Sequence, residues 1–385
     1  MSYPAYQASS LVNLMSRLAR EFGVDDHQYP ALEHASLAQL ADYQNIVLLI
    51  IDGLGARYLD SHPGFLQSHK STELTSVFPT TTASAITTFM TGLAPQQHGL
   101  TGWFTYLKEI GAVTAVLPCQ LRGSRESLIE RGIDIAALYG NTPFFNLLNV
   151  PSSVLAPEWI IDSPFNVAHS GRARRWGYTD LLSMFDNLRG ILQGKTERQY
   201  IYAYWPEFDR LSHQFGNSSE QVAQHYRELD AMLMRFINSI AGTRTLLLIT
   251  ADHGFIDTRP ERLINLHEHP ILRDCLSLPL SGEPRVAYCY VHPDKTATFI
   301  DYVQEHFAQQ MELIESQRLI AQGAFGLGEA HSQLAQRVGD YTLIMKDNYV
   351  IKDWLMGEKP FFQLGVHGGI SELEMQVPLI VLASD

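Results

Sequence analysis

The stretch Asn45-Ile46-Val47-Leu48-Leu49-Ile50-Ile51-Asp52-Gly53 decides the fold class. Its aliphatic run has no polar face, as expected for a strand covered on both sides in a parallel sheet. Asp52 follows at once, which puts a carboxylate at the strand's carboxyl end. The pattern returns at Thr245-Leu246-Leu247-Leu248-Ile249-Thr250, followed by Ala251-Asp252-His253-Gly254. Between them, Gln199–Trp205 reads as a strand and Ser219–Ile240 as a long amphipathic helix. Gly177–Leu192 reads as another helix through Leu181, Leu182, Met184, Phe185 and Leu188. Strands alternating with helices predict an α/β fold around a mostly parallel sheet. Ligands of such sheets sit beyond the carboxyl ends of the strands. Asp52 and Asp252 are therefore expected to share that edge.

A second informative stretch runs from Ser76 to Leu93, with Pro79-Thr80-Thr81-Thr82 at its turn. Thr72–Phe78 reads as a strand that Pro79 stops. Thr80 to Thr82 offer capping oxygens, Ala83 to Met90 form about two helical turns, and Gly92 suits the C′ position. A hydroxyl at that helix start faces free N–H groups and the positive end of the dipole, a place that favours an anion. Read alone, the turn is equally a threonine-rich cap on a buried helix.

With 385 residues, one large domain carrying a smaller inserted one is expected. Residues 1–255 and 365–385 read as the catalytic α/β domain. Residues 256–364 change character and read as a small α+β insertion, with strands at Arg285–Val291 and Tyr341–Met345 and a helix at Thr296–Phe307. Gly111–Leu117 is a further strand candidate, and Met375–Leu382 a closing strand of the main sheet. No apolar run reaches membrane-spanning length. Met1 to Gly23 lack a basic start followed by an apolar core, and three cysteines show no CxxC spacing. Together these predict a cytoplasmic protein without a disulfide framework or thiolate zinc site. The net charge of −13 argues against long nucleic acids as partners, but bound metal ions would still admit a small anionic substrate.

Three motifs can carry chemistry. Asp209-Arg210-Leu211-Ser212-His213 puts a carboxylate and an imidazole on one face of a helical turn. Asp252-His253 sets the same ligand types side by side after a buried strand. His367 lies in Gly365-Val366-His367-Gly368-Gly369, where the glycines permit close backbone approach. Imidazole with carboxylate suits zinc, with manganese or iron as alternatives. Each motif also has a bland reading as solvated helix face, cap or loop.

The order Asp52, Thr82, Asp209 with His213, Asp252-His253 and a late His-Gly-Gly resembles the alkaline phosphatase superfamily. Within it, the chain is most similar to the type I phosphodiesterase/nucleotide pyrophosphatase branch. The resemblance runs from Ile46 to about Leu382 and implies an α/β sandwich with a central, mostly parallel sheet flanked by helices. It implies two divalent metal ions, commonly zinc, with manganese as the alternative. Asp209, His213 and His367 would hold one; Asp52, Asp252 and His253 would hold the other. Thr82 would be the nucleophile, lying against the metals and forming a covalent intermediate. His98-Gly99 matches the family's continuation. Four residues after Gly99 the branch commonly has an asparagine that helps hold a phosphate oxygen; this chain has Trp103, read here as a substrate contact. Trp103, Phe104 and Tyr106 together could form an apolar wall for a diester's second organic group, while Phe104 also reads as a core residue.

The resemblance thus implies hydrolysis of phosphodiester or nucleotide pyrophosphate bonds. The alternatives are a phosphonate hydrolase or phosphomonoesterase on the same ligands, or a silent binding member, against which the intact ligand set speaks. The basic run Gly171–Trp176 reads as a solvated loop, and His267-Glu268-His269 as a polar loop rather than a further metal site. Tyr202, Tyr204 and Trp205 read as strand packing.

Overall fold

The computed structural model describes residues 3–24, 28–193 and 197–384. Its centre is a seven-stranded sheet in the order Lys70–Thr75, Gln376–Ser384, Thr245–Thr250, Asn45–Ile51, Gln199–Trp205, Ser152–Pro157, Arg174–Tyr178. Only Gln376–Ser384 runs antiparallel to its neighbours. Asn45–Ile51 is the middle strand, and every one of its residues is buried. That burial explains its unbroken aliphatic sequence, because both of its faces are covered. In register, Ile51 lies beside Trp205 and Ile50 beside Thr250. The strands therefore end together, and Asp52, Asp252 and the helix Glu207–Phe215 all emerge at one edge.

The expected helices form at Leu181–Leu192 and Glu220–Ser239, with Asp180 and Ser219 accepting from the first-turn N–H groups. The helix after the threonine turn spans Thr82–Thr91 and ends on Gly92 in the left-handed region. Ser152–Pro157, a strand without a strong sequence signature, completes the sheet beside Gln199–Trp205.

A second, antiparallel sheet also has seven strands, in the order Met311–Glu315, Tyr341–Met345, Val286–Cys289, Ser281–Glu283, Phe104–Leu107, Ala112–Ala115, Gln120–Leu121. The segment read from sequence as Gly111–Leu117 is thus not a strand of the main sheet. It pairs with Phe104–Leu107, and both join strands drawn from residues 281–345. The join is tight. A Cβ on Gly102 would lie 2.6 Å from the Gly282 Cα, and Gly282 itself has φ +83°. Only glycine lets the two backbones cross here at low cost.

Replacing Gly282 with alanine should cost about 1–3 kcal/mol, because it adds left-handed strain to a collision with the Val286 carbonyl. Gly242 also has positive φ but open space around it, so Gly242→Ala should cost less. Equal denaturation midpoints for the two variants would contradict the close packing around Gly282.

Candidate active site

Side chains from four separate chain segments converge at the sheet edge. Asp52 follows the middle strand, Asp252 and His253 follow its neighbour, and Asp209 and His213 lie four residues apart on the helix Glu207–Phe215. His367 follows the short strand Gly365–Val366, which pairs with Ile256–Asp257. All six sequence-predicted ligands therefore meet. Ligand atoms of Asp52, Asp252 and His253 lie within 4.8 Å of one another, as do those of Asp209, His253 and His367. His213 joins the second group through Nε2, which is 3.4 Å from Asp209 Oδ1 and 3.2 Å from His367 Nε2.

The orientation of each imidazole is fixed from behind. Nδ1 of His213 donates to the Gly365 carbonyl at 2.8 Å, that of His367 to the Thr80 carbonyl at 3.1 Å, and that of His253 to the Gly254 carbonyl at 3.1 Å. A carbonyl can only accept, so the proton sits on Nδ1 and each Nε2 lone pair points inward. The carboxylates are set in the same way. Tyr204 donates to Asp52 Oδ2, and the Gly53 and His253 N–H groups donate to Asp252 Oδ1 at 3.0 Å each. The other oxygens, Asp52 Oδ1, Asp252 Oδ2 and Asp209 Oδ1, are buried with no hydrogen-bond partner. His253 Nε2 lies 3.4 Å from two of them.

Such an arrangement is unfavourable without cations. Like charges about 4.8 Å apart repel by roughly 3–4 kcal/mol at an effective dielectric of about 20. Burial, then the neighbouring carboxylates, push Asp52 and Asp209 well above the carboxylate range. Burial drives His367 well below the usual imidazole range and His213 down to about 4. Anionic oxygens and neutral imidazole nitrogens aimed at a common space are a donor set that divalent cations fit, zinc and manganese among them.

Thr82 opens the helix Thr82–Thr91, and its Oγ1 is 3.1 Å from His253 Nε2. The neighbouring threonines do not cap that helix as the sequence suggested. Thr81 occupies the cap position without a side-chain cap bond, because its hydroxyl donates to Glu283 Oε1 at 2.5 Å. Thr80 donates to the Gly369 carbonyl and accepts from the Gly368 N–H. The turn is thus tied sideways to the His-Gly-Gly loop and the second sheet.

A cavity of about 550 Å³ opens over Thr82, Asp209, His213 and His367. Asp52, Asp252 and His253 lie beneath it, almost fully buried. Trp103, 38% exposed, and Phe104 line the cavity, with Arg122 stacked on the Phe104 ring. Tyr106 does not form part of that wall: it shares a strand face with Phe104 but lies two residues further along, where it packs against Tyr290 and lines a separate groove. His98 lies outside the site and accepts from the Leu100 N–H.

A profile described as type I phosphodiesterase / nucleotide pyrophosphatase matches residues 46–369. The chain belongs to this family. Among solved structures, murine ectonucleotide pyrophosphatase / phosphodiesterase 5, an inactive variant in complex with AMP, is similar at 17% identity, with 87% of each chain covered and a TM-score of 0.66. The human counterpart gives 17%, 88% of this chain, 87% of that one and 0.66. Phosphonoacetate hydrolase from Sinorhizobium meliloti 1021, in complex with phosphonoformate, gives 14%, 88%, 90% and 0.61. No curated protein sequence matches. These likenesses show that the chain shares the fold of these proteins.

Sequence reasoning missed several residues that shape this phosphodiesterase-family site. Tyr204, read as strand packing, holds Asp52. Glu283 accepts from Thr81 and from the Trp103 N–H at 2.6 Å, and it packs on Gly368, whose φ is +113°. Burial pushes Glu283 up to about 7. Arg285 and Glu374 form a buried ion pair, and Glu374 also takes the Gly369 N–H and the Ser371 hydroxyl. The basic run lies at the edge strand Arg174–Tyr178, with Arg175 paired to Asp162 and Arg174 stacked on Trp176. His267 bonds the Trp354 carbonyl and His269 the Tyr302 hydroxyl, as expected for a polar loop.

Carboxylates raised this far bind protons in the ion-free protein at pH values where an isolated carboxylate is ionised. Cation binding should release them, so zinc affinity should rise with pH over the range above an isolated carboxylate's own pKa. Calorimetry of zinc binding in two buffers of different ionisation enthalpy measures this; binding without proton release across that range would contradict the charge arrangement. Glu374→Gln should cost about 3–5 kcal/mol of stability by leaving Arg285 buried and unpaired, read from denaturant unfolding.

Proposed function

We propose that the chain is a two-metal hydrolase that cleaves phosphodiester or nucleotide pyrophosphate bonds through a covalent threonine intermediate. The single observation that carries this is the meeting of Thr82 Oγ1 with a pair of ligand clusters whose inward carboxylate oxygens have no protein partner. Asp209, His213 and His367 would hold one ion and Asp52, Asp252 and His253 the other, with Thr82 against them. Zinc is the proposed metal and manganese the alternative. Bound there, such ions would supply positive charge that lowers the pKa of a coordinated hydroxyl and offsets charge on a phosphoryl group.

The remaining chemistry belongs to the chain. Thr82 Oγ1 forms a bond to phosphorus while the bond to the leaving oxygen breaks. Its place at a helix start favours the anionic oxygen. Water then hydrolyses the threonyl ester and restores the hydroxyl. Glu283, through Thr81, and Gly369, through Thr80, hold the turn just before the attacking residue. Trp103 offers an aromatic face to an organic group of the substrate. A small anionic, phosphate-containing substrate fits a cavity of about 550 Å³, within the usual range for ligand sites. No helix among the described residues is long and apolar enough to cross a membrane. A cytoplasmic location is part of the proposal, and the three buried free cysteines accord with it.

Thr82→Ala should abolish the covalent intermediate and lower turnover of bis(p-nitrophenyl) phosphate at least about 10²-fold, with metal content near normal. Thr81→Ala removes one hydrogen bond to Glu283 and should retain activity. Mass spectrometry of acid-quenched enzyme reads the intermediate. An active Thr82→Ala with a dead Thr81→Ala would move the nucleophile by one residue. A wild type at least tenfold better on a monoester or on phosphonoacetate would replace the diester reading with the monoesterase or phosphonate one.

A further inference from the structure

Three deeply buried cations in this protein are matched by carboxylates. Arg285 pairs with Glu374, Arg337 with Glu109, and Arg122 with both Asp353 and Glu358. Lys352 is different. It is 8% exposed, yet it forms no ion pair among the described residues. Its ammonium donates to Gln363 Oε1 at 3.1 Å and sits 4.2 Å from the centre of the Phe361 ring. Those contacts use little of its capacity, because an ammonium carries three donors and a full charge. Burial without a counter-ion lowers Lys352 to about 8, with Glu283 opposing that shift from across the same cavity. The residue is held firmly, at the end of the strand Val350–Lys352 paired with Leu263–Asn265.

Lys352 lines the cavity that also holds Thr82, Asp209, His213 and His367. The other cations of that wall are exposed, as Arg125 and Lys359 are, or already bonded to carboxylates, as Arg122 is. A buried, unmatched cation in a site for anionic substrates completes its charge balance when the ligand arrives.

We propose that Lys352 forms a second anion subsite, which takes a phosphate or carboxylate group of the substrate other than the phosphoryl group that reacts at Thr82. The proposal rests on the catalytic reading above for the place of the reacting phosphorus. It selects substrates with an anionic group on each side of the scissile bond over simple diesters. Glu283, the nearby carboxylate, disfavours anions at its own end of the cavity and so directs the second group toward Lys352.

The test uses full-length, zinc-loaded Thr82→Ala protein, in which turnover is removed. Calorimetry then compares Lys352 with Lys352→Met for three probes: a dialkyl pyrophosphate, phosphonoacetate and dimethyl phosphate. The dissociation constant of a two-anion probe should rise at least tenfold more than that of dimethyl phosphate, and Lys352→Arg should recover most of the loss. An effect confined to the pyrophosphate identifies a phosphate as the second group; one confined to phosphonoacetate identifies a carboxylate. Equal weakening for all three probes, or none for any, overturns the subsite. Unfolding midpoints for each variant separate a binding loss from a folding defect. Failure of the catalytic reading shows elsewhere, as an inactive wild type, and leaves these binding differences measurable.

Discussion

Electrostatic convergence is the constraint on which this structure depends. Asp52, Asp209 and Asp252 each turn one unbonded carboxylate oxygen toward the same buried region. His213 and His367 face each other through nitrogen lone pairs 3.2 Å apart. No arrangement of protein hydrogen bonds relieves both conflicts, since every Nδ1 proton is already committed to a carbonyl. A fold that relaxed freely would turn these groups apart. Here the strand ends, a helix and a glycine loop hold them together.

The restraint is spread over the molecule. The parallel register of the central strands brings Asp52 and Asp252 to one level. The Arg285–Glu374 pair ties the second sheet to the loop that carries His367, through the Gly369 N–H. Glu283 ties the same sheet to the residue before Thr82. The antiparallel sheet is therefore more than a cover: it holds the threonine turn beside the ligand clusters. A buried ion pair is a poor general source of stability, and its use here accords with fixing geometry.

Much of this was legible in the sequence because the signals were local. An aliphatic run followed by Asp52 or by Asp252-His253 marks a buried strand and a carboxylate at its end. Asp209 and His213 share a face by helical period, and the glycines beside His367 mark a close approach. What was not legible depends on distant crossings. Glu283 meets the Trp103 N–H across 180 residues of sequence, and only because Gly102 and Gly282 let two backbones touch. Nothing near Lys352 announces that it is buried beside the site. Thr80 and Thr81 misled for a related reason: local preference favours capping, but stronger partners from the loop and the second sheet took their hydroxyls. Gly111–Leu117 read as a strand, but its pairing with Phe104–Leu107 in the second sheet was not legible, because alternation gives a strand's faces and not its neighbours.

The central claim is that two ligand clusters beside Thr82 each hold a cation. Anomalous diffraction from zinc-soaked crystals, recorded at the zinc edge, tests it most directly. Two peaks are expected, one about 2.0–2.2 Å from ligand atoms of Asp209, His213 and His367 and one at the same range from those of Asp52, Asp252 and His253. A fully ordered site with no peak in either cluster, or zinc bound only elsewhere, such as at His267 and His269, would contradict it.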